Sequence, residues 1–284
     1  MNAREILDAW LSQRLEAPAL EWLRAQGARL EGGAPESAFH LAFGQVPRRL
    51  GAAARAPLNA AHEGWDLRDW TVEQAARAFL LLSLPDTPES VRAVLALHQT
   101  ADLGEHVALV RALFLLPFAE GVLHVAREAI RSNMGDVFRA ISQRNPYPAK
   151  YFDDIAWNQM VAKCVFTDVP LRTIQGLDAR ANVALARMLL DLAQERKAAG
   201  RPLAVEAWRC VVPFLGEGAA SDREGEALVF LADLLAHGGS GARAAALALQ
   251  NAPTPAGRLL LRAAAPELLP SLEAGTLTWE NYDV

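Results

Sequence analysis

The sequence predicts an all-α protein, built as an α-solenoid-like stack of antiparallel helix hairpins. Three observations point there. Apolar residues recur at helical spacing nearly throughout, and alternating strand-like runs are almost absent. Capping residues mark several helix starts. Three helices end in similar phrases, LLSLPDTPES at 81–90, FLLPFAEG at 114–121 and VVPFLGEG at 211–218, as stacked hairpins do.

In chain order, MNAREILDAWLSQRL makes an amphipathic helix over 2–13, with Arg4, Glu5 and Asp8 set among apolar residues, which is not the pattern of a signal peptide. Helices at 18–27 and 35–43 follow. The segment 44–70 reads as an irregular loop, because it carries Pro47, Gly51, Pro57 and Gly64 before Trp65 and Trp70. Loops of that length are often functional. Thr71 with Gln74 fits a capping box that opens a helix over 72–83. Thr87-Pro88 opens 88–99, the proline falling where its missing N–H costs nothing. Helices at 104–116, at 119–143 with a break near 132 left open, and at 155–166 come next. Asn182 caps 183–199, which Gly200 and Pro202 end. The last helices are 203–214, 222–237 (a Ser221–Glu224 capping box), 240–250, 255–263 (after Thr254-Pro255) and 266–273. The tail, 275–284, stays loose or docks through Trp279 and Tyr282. The chain, 1–284, reads as a single helical domain.

Net charge is −5, which argues against a nucleic-acid partner. Cys164 and Cys210 each sit in an apolar helical run and read as core residues, consistent with a reducing compartment. No run of residues is long and apolar enough to span a bilayer. The default location is the cytoplasm, with peripheral attachment at the inner membrane as a further expectation. Arg48, Arg49 and Arg55 make only a thin basic patch for such attachment.

One stretch changes vocabulary: NPYPAKYFDDIAWNQMVAKCVF at 145–166. Pro146 and Pro148 push Asn145 and Tyr147 toward extended backbone, so NPYP reads as a stiff, non-helical elbow. Beyond it, Trp157, Met160, Val161, Cys164 and Val165 make one apolar face. Asn158, Gln159 and Lys163 are embedded in its borders. Buried amides and ammonium groups need partners, either from the scaffold or from a ligand. Both readings stand: a packed structural elbow, or a pocket or partner surface. Upstream, Glu120, His124, Arg127 and Arg131 form a polar stripe if 119–143 is one helix. That stripe is either a solvated face or a cationic wall for an anionic ligand.

No nucleotide-loop, zinc-protease or nucleophile-elbow motif is present. The six histidines are not at metal-ligand spacing in sequence, so no metal and no cofactor is expected. Enzyme activity is neither supported nor excluded by motif.

The stretch 145–166, with RSNMGDVFRAI at 131–141, GLDARANVALARMLLDLAQERKAAGRP at 176–202 and the following EAWRCVVPFL, strongly resembles the signature of EboA-type proteins, the metabolite traffic family. The resemblance is clear over about 127–215. AKC at 162–164 departs from a more leucine-rich version, a matter of packing. The resemblance implies a bacterial cytoplasmic protein encoded with other Ebo proteins, among them a UbiA-like membrane prenyltransferase. Their clusters are implicated in moving or maturing secondary-metabolite precursors. It carries over no catalytic residues. The candidate ligand- or partner-binding residues are Arg127, Arg131, Asn133, Asp136, Asn145, Tyr147, Tyr151, Trp157, Asn158, Gln159, Lys163 and Arg180. The expected function is a helical adaptor that binds a metabolite precursor or a partner protein. The alternative is an enzyme, or enzyme subunit, acting on an aromatic or isoprenoid metabolite, with Lys163, His124 and Arg131 as acid–base or anchoring groups.

Overall fold

A computed structural model describes residues 2–62, 64–217 and 222–283. The protein is all-α; a two-stranded antiparallel hairpin, Ala61–His62 against Trp65–Asp66, is a minor addition. The chain divides into two compact units, Met1–Phe152 and Asp153–Val284.

In the first unit the Val72–Leu81 helix is central. It packs against Ala3–Ser12, Ala17–Glu31, Glu36–Leu50 and Leu103–Ala112. Nearly all its side chains are buried, Arg77 included. Helices here gather round one helix, rather than each touching only its neighbours as in a file of hairpins. The close approach to Ala17–Glu31 runs over Gly27, where a Cβ would meet the Phe79 ring at 2.8 Å.

Two expectations need correcting in this unit. The helix expected to end at 43 runs on to Leu50, through Pro47. Proline removes the N–H that would bond the Phe43 carbonyl. That carbonyl is taken instead by Arg77 Nε at 3.2 Å, while the guanidinium lies over the Phe43 ring and pairs with Glu73. The proline's lost bond and the arginine's burial thus offset each other. The irregular segment begins only after a 3-10 turn, Gly51–Arg55, and is closed by Leu58 N–H to Trp70 O (2.7 Å) and Val72 N–H to Ala56 O (2.9 Å). Secondly, 119–143 opens on a turn that is not α-helical, while the break left open near 132 is present. Ala119–Val122 is 3-10, followed by Leu123–Arg131 and Gly135–Ser142. Ser132 turns extended, and its Oγ accepts from Met134 N at 3.1 Å. Glu120 therefore does not share a helix with His124, Arg127 and Arg131.

The capping signals translate directly. Thr71–Gln74 forms its box, and Thr87, Asn182 and Thr254 each accept the expected amide. Asn2–Glu5 and Asp102–Glu105 form boxes too. The expected box at Ser221–Glu224 involves Ser221, which lies outside the described residues.

In the second unit Asp154–Phe166 packs on Val183–Ala198, which packs on Trp208–Val211. Glu224–His237, Gly239–Gln250 and Pro255–Ala264 pack on one another. Val183–Ala198 ends in a Schellman turn: Gly200 N–H reaches Lys197 O (3.0 Å) and Arg201 N–H reaches Arg196 O (2.8 Å). Gly200 has φ +68°, a conformation that costs glycine nothing. Arg196 Nε then fixes the returning chain at Pro202 O, 2.7 Å away. The tail docks. Tyr282 donates its hydroxyl to the buried Glu206 carboxylate (3.1 Å), and Trp279 meets Tyr282 edge to face. Glu206 also accepts from the backbone amides of Leu171 and Arg172.

Candidate functional site

Four of the twelve candidate residues, Asn145, Tyr147, Trp157 and Asn158, are buried in the scaffold, and the other eight are half-buried or exposed. In the first unit, Asn145 is buried; its amide nitrogen donates to Val110 O (3.2 Å) and Ala140 O (2.9 Å), and its oxygen accepts from Tyr147 N (3.0 Å). The elbow itself is helical, Tyr147–Tyr151, against the extended backbone expected from the two prolines. In a first helical turn a proline lacks only an N–H that has no partner there anyway, and Asn145 caps the turn. Just before it, Arg144 takes φ +52° and reverses the chain, held by Asp66 and Asp69 at 2.9 Å each. Tyr147 is fully buried and donates its hydroxyl to Ala119 O at 2.6 Å. Burial pushes its phenol well above the usual range. Tyr151, half-buried, stacks on Tyr147 at 4.6 Å, with the Lys150 ammonium 4.8 Å from its ring.

The other first-unit candidates are scattered. Arg127 is half-buried and Asn133 is exposed. Arg131 pairs with Glu128 at 3.0 Å, and Asp136 faces Arg139 at 3.7 Å. These i,i+3 pairs are surface pairs of small energetic weight.

In the second unit, Trp157 is fully buried, with the Arg180 guanidinium 5.1 Å from its ring and Arg180 paired to Asp154 at 3.0 Å. Asn158 is buried in a reciprocal amide pair with Asn182 (3.1 and 2.9 Å), the residue that caps Val183–Ala198. Lys163 is half-buried, and burial lowers its pKa. Gln159 is exposed. It shares a helix face with Ile155, Ala162 and Phe166, at i, i+4, i+7 and i+11. Ile155 and Phe166 are 71% and 66% exposed. Cys164 and Cys210 are buried, and burial pushes the Cys210 thiol up to about 12.

A concave site in this unit lies elsewhere. A cavity of about 360 Å³ opens between the end of Val183–Ala198, the Trp208–Val211 helix and Glu224–His237. Ligand sites commonly fall between ~300 and 1,000 Å³. Its buried floor is Ala193, Leu203 and Trp208; Phe230 and Leu234 form a half-buried wall. Trp208 and Phe230 converge, with ring centroids 5.6 Å apart and planes tilted by 39°. Lys197, Arg201, Asp233 and Val229 make an exposed rim. The Gly200 turn builds this shape. By reversing the chain it drops Leu203 into the floor and leaves Lys197 and Arg201 at the mouth. The segment QERKAAGRP was legible as a helix end, but its role in a cavity needed the Glu224–His237 helix, far along the chain.

Sequence spacing also concealed a histidine cluster in the first unit. His106 Nε2 lies 2.8 Å from His98 O and 3.0 Å from His98 Nδ1, and the His124 ring is 6.5 Å from that of His98. Burial, then the neighbouring His106 and His124, lower the pKa of His98. Among the described residues no three histidine, cysteine or acidic side chains are arranged to hold a metal ion.

Fold and site define an all-α protein whose second unit carries a cavity beside Trp208 and Phe230. Among the described residues, no helix is long and apolar enough to cross a membrane. The chain belongs to the EboA family, described as metabolite traffic protein EboA, whose model matches residues 3–212. That membership gives it a metabolite-related role. No curated protein and no solved structure matches the chain.

Proposed function

We propose that the protein is a helical binding protein that carries a small secondary-metabolite precursor in the Trp208–Phe230 cavity. The observation behind this reading is a cavity of ligand size with a largely apolar lining and a charged mouth. Membership of a metabolite traffic family supports a metabolite as the cargo. Much of the lining, from Ala193 to Trp208, lies within the matched residues. Lys163, which an enzyme reading would use, does not line this cavity. The test is extraction. Protein purified under native conditions from cells carrying the neighbouring Ebo genes is extracted with solvent and analysed by mass spectrometry. A small molecule released by the parent and absent from Phe230→Ala supports the reading; identical extracts from the two overturn it.

A second reading, an adaptor that docks a partner protein at the cytoplasmic side of the inner membrane, is favoured by one observation. The exposed Ile155 and Phe166 share one face of the signature helix. Apolar stripes of this kind commonly mark partner surfaces. Other Ebo proteins, a UbiA-like prenyltransferase among them, are the proposed partners. Co-purification of these proteins with the parent chain but not with Ile155→Lys/Phe166→Lys supports docking there; equal recovery counts against it.

A further inference from the structure

The geometry points to a ligand class for the Trp208–Phe230 cavity: an amphiphilic anion with a flat aromatic body and a carboxylate or phosphate head. This rests on the cavity being the binding site, and it deepens that reading by naming the cargo's chemistry.

The body is set by the walls. Trp208 and Phe230 converge at 5.6 Å beside Leu203 and Leu234, with no charged group among the buried lining. Trp208 is fully buried against Phe230, so the aromatic surface the cavity presents is the half-buried Phe230 ring, whose edge accepts an aromatic guest in edge-to-face contact. The head is set by the rim. Lys197 and Arg201 supply two positive charges, and Asp233 supplies one negative. Lys197 Nζ sits 4.7 Å from the Phe230 ring centroid, which fixes its charge over the aromatic wall. The same contact argues against a cationic guest, because the Phe230 face that would hold an ammonium already holds Lys197, and only the ring edge is left to a guest. Arg201, on the turn set by Gly200, brings the planar fork that matches carboxylate and phosphate oxygens. His237 donates Nδ1–H to the Asp233 main-chain oxygen at 2.7 Å and lies 3.6 Å from the Asp233 carboxylate. A guest therefore enters ring first and leaves its negative end between Lys197 and Arg201.

The probes share one ring and differ in the head: 2-naphthoate, 2-naphthyl phosphate and 2-naphthylmethanol, with decanoate as an anion lacking a ring. Titration calorimetry is run on the full chain and on Lys197→Gln/Arg201→Gln, both positions being exposed, so the fold is retained. The expected result is that one or both naphthyl anions bind about tenfold or more tighter than the alcohol, the gain of one charge-assisted contact. The double variant should bring them to the alcohol's level. Which of the two anions binds tighter identifies the head group. Equal binding of alcohol and anions overturns the anion assignment and leaves the cavity as a binding site. Decanoate binding as tightly as 2-naphthoate overturns the aromatic assignment. Binding of none of the four overturns both this inference and the carrier reading.

Discussion

The elbow at 145–152 and the cavity around Trp208 invert what their sequences advertise. The elbow has the rarer composition, with prolines, tyrosines and an amide, yet Asn145 and Tyr147 are buried and bonded to their own main chain. The cavity has one tryptophan and one phenylalanine among leucine, alanine, lysine and arginine in ordinary helical text, yet it is open. The difference teaches that an unusual segment need not be a site. A short helix opened by two prolines, after a left-handed arginine, needs particular side chains to satisfy the backbone it displaces. A cavity needs only three elements that fail to meet.

The comparison breaks first at Asn145. Asn145→Ala leaves two carbonyls and one amide without their side-chain partner in a buried place. It should lower unfolding free energy by about 3 kcal/mol in a urea titration, with Tyr147→Phe costing about 1 kcal/mol. If both variants kept parental stability and instead lost ligand binding, the elbow would be a site after all. Gly200→Ala comes next. It forces a Cβ into a left-handed turn and should cost about 1 kcal/mol, and it should also weaken binding of 2-naphthoate because the rim is displaced. Stability lost without any change in binding would separate the turn from the cavity.

The histidine cluster gives a pH test on the first unit. His98 has a folded pKa below its ordinary value, so the unfolded chain takes up its proton first as pH falls. Stability should therefore decline on acidification from pH 7 toward 5, starting near the unfolded value of about 6.5. It should level off once the folded state also binds the proton. His98→Gln should flatten this slope; an unchanged slope would show that His98 does not set it. The smallest effect is expected at Gln159, exposed on the signature helix. Gln159→Ala should stay within about 0.5 kcal/mol of the parent, and a larger loss would mean that the signature is structural on its outer face too.

Much of the fold was legible because helix ends are local. Thr71, Thr87, Asn182, Thr254 and Gly200 each act within a few residues, and each acts as its sequence context indicates. The helix running through Pro47 was not legible, since its compensation comes from Arg77, thirty residues on. Nor was the elbow's helical turn, which depends on Asn145 folding back over its own chain. At the candidate site, sequence located the residues that need partners but not who supplies them. Asn158 finds Asn182, and His98 finds His106 and His124, through packing that spacing does not record.

Glu206 has a mechanical consequence. One carboxylate holds the amides of Leu171 and Arg172 on one side and the Tyr282 hydroxyl on the other. The loop before Leu177–Arg180 and the chain's last turn are thereby tied into one cooperative piece. Deuterium uptake at the Leu171 and Arg172 amides then reports detachment of a segment more than a hundred residues away, and a fray at the far end loosens both together.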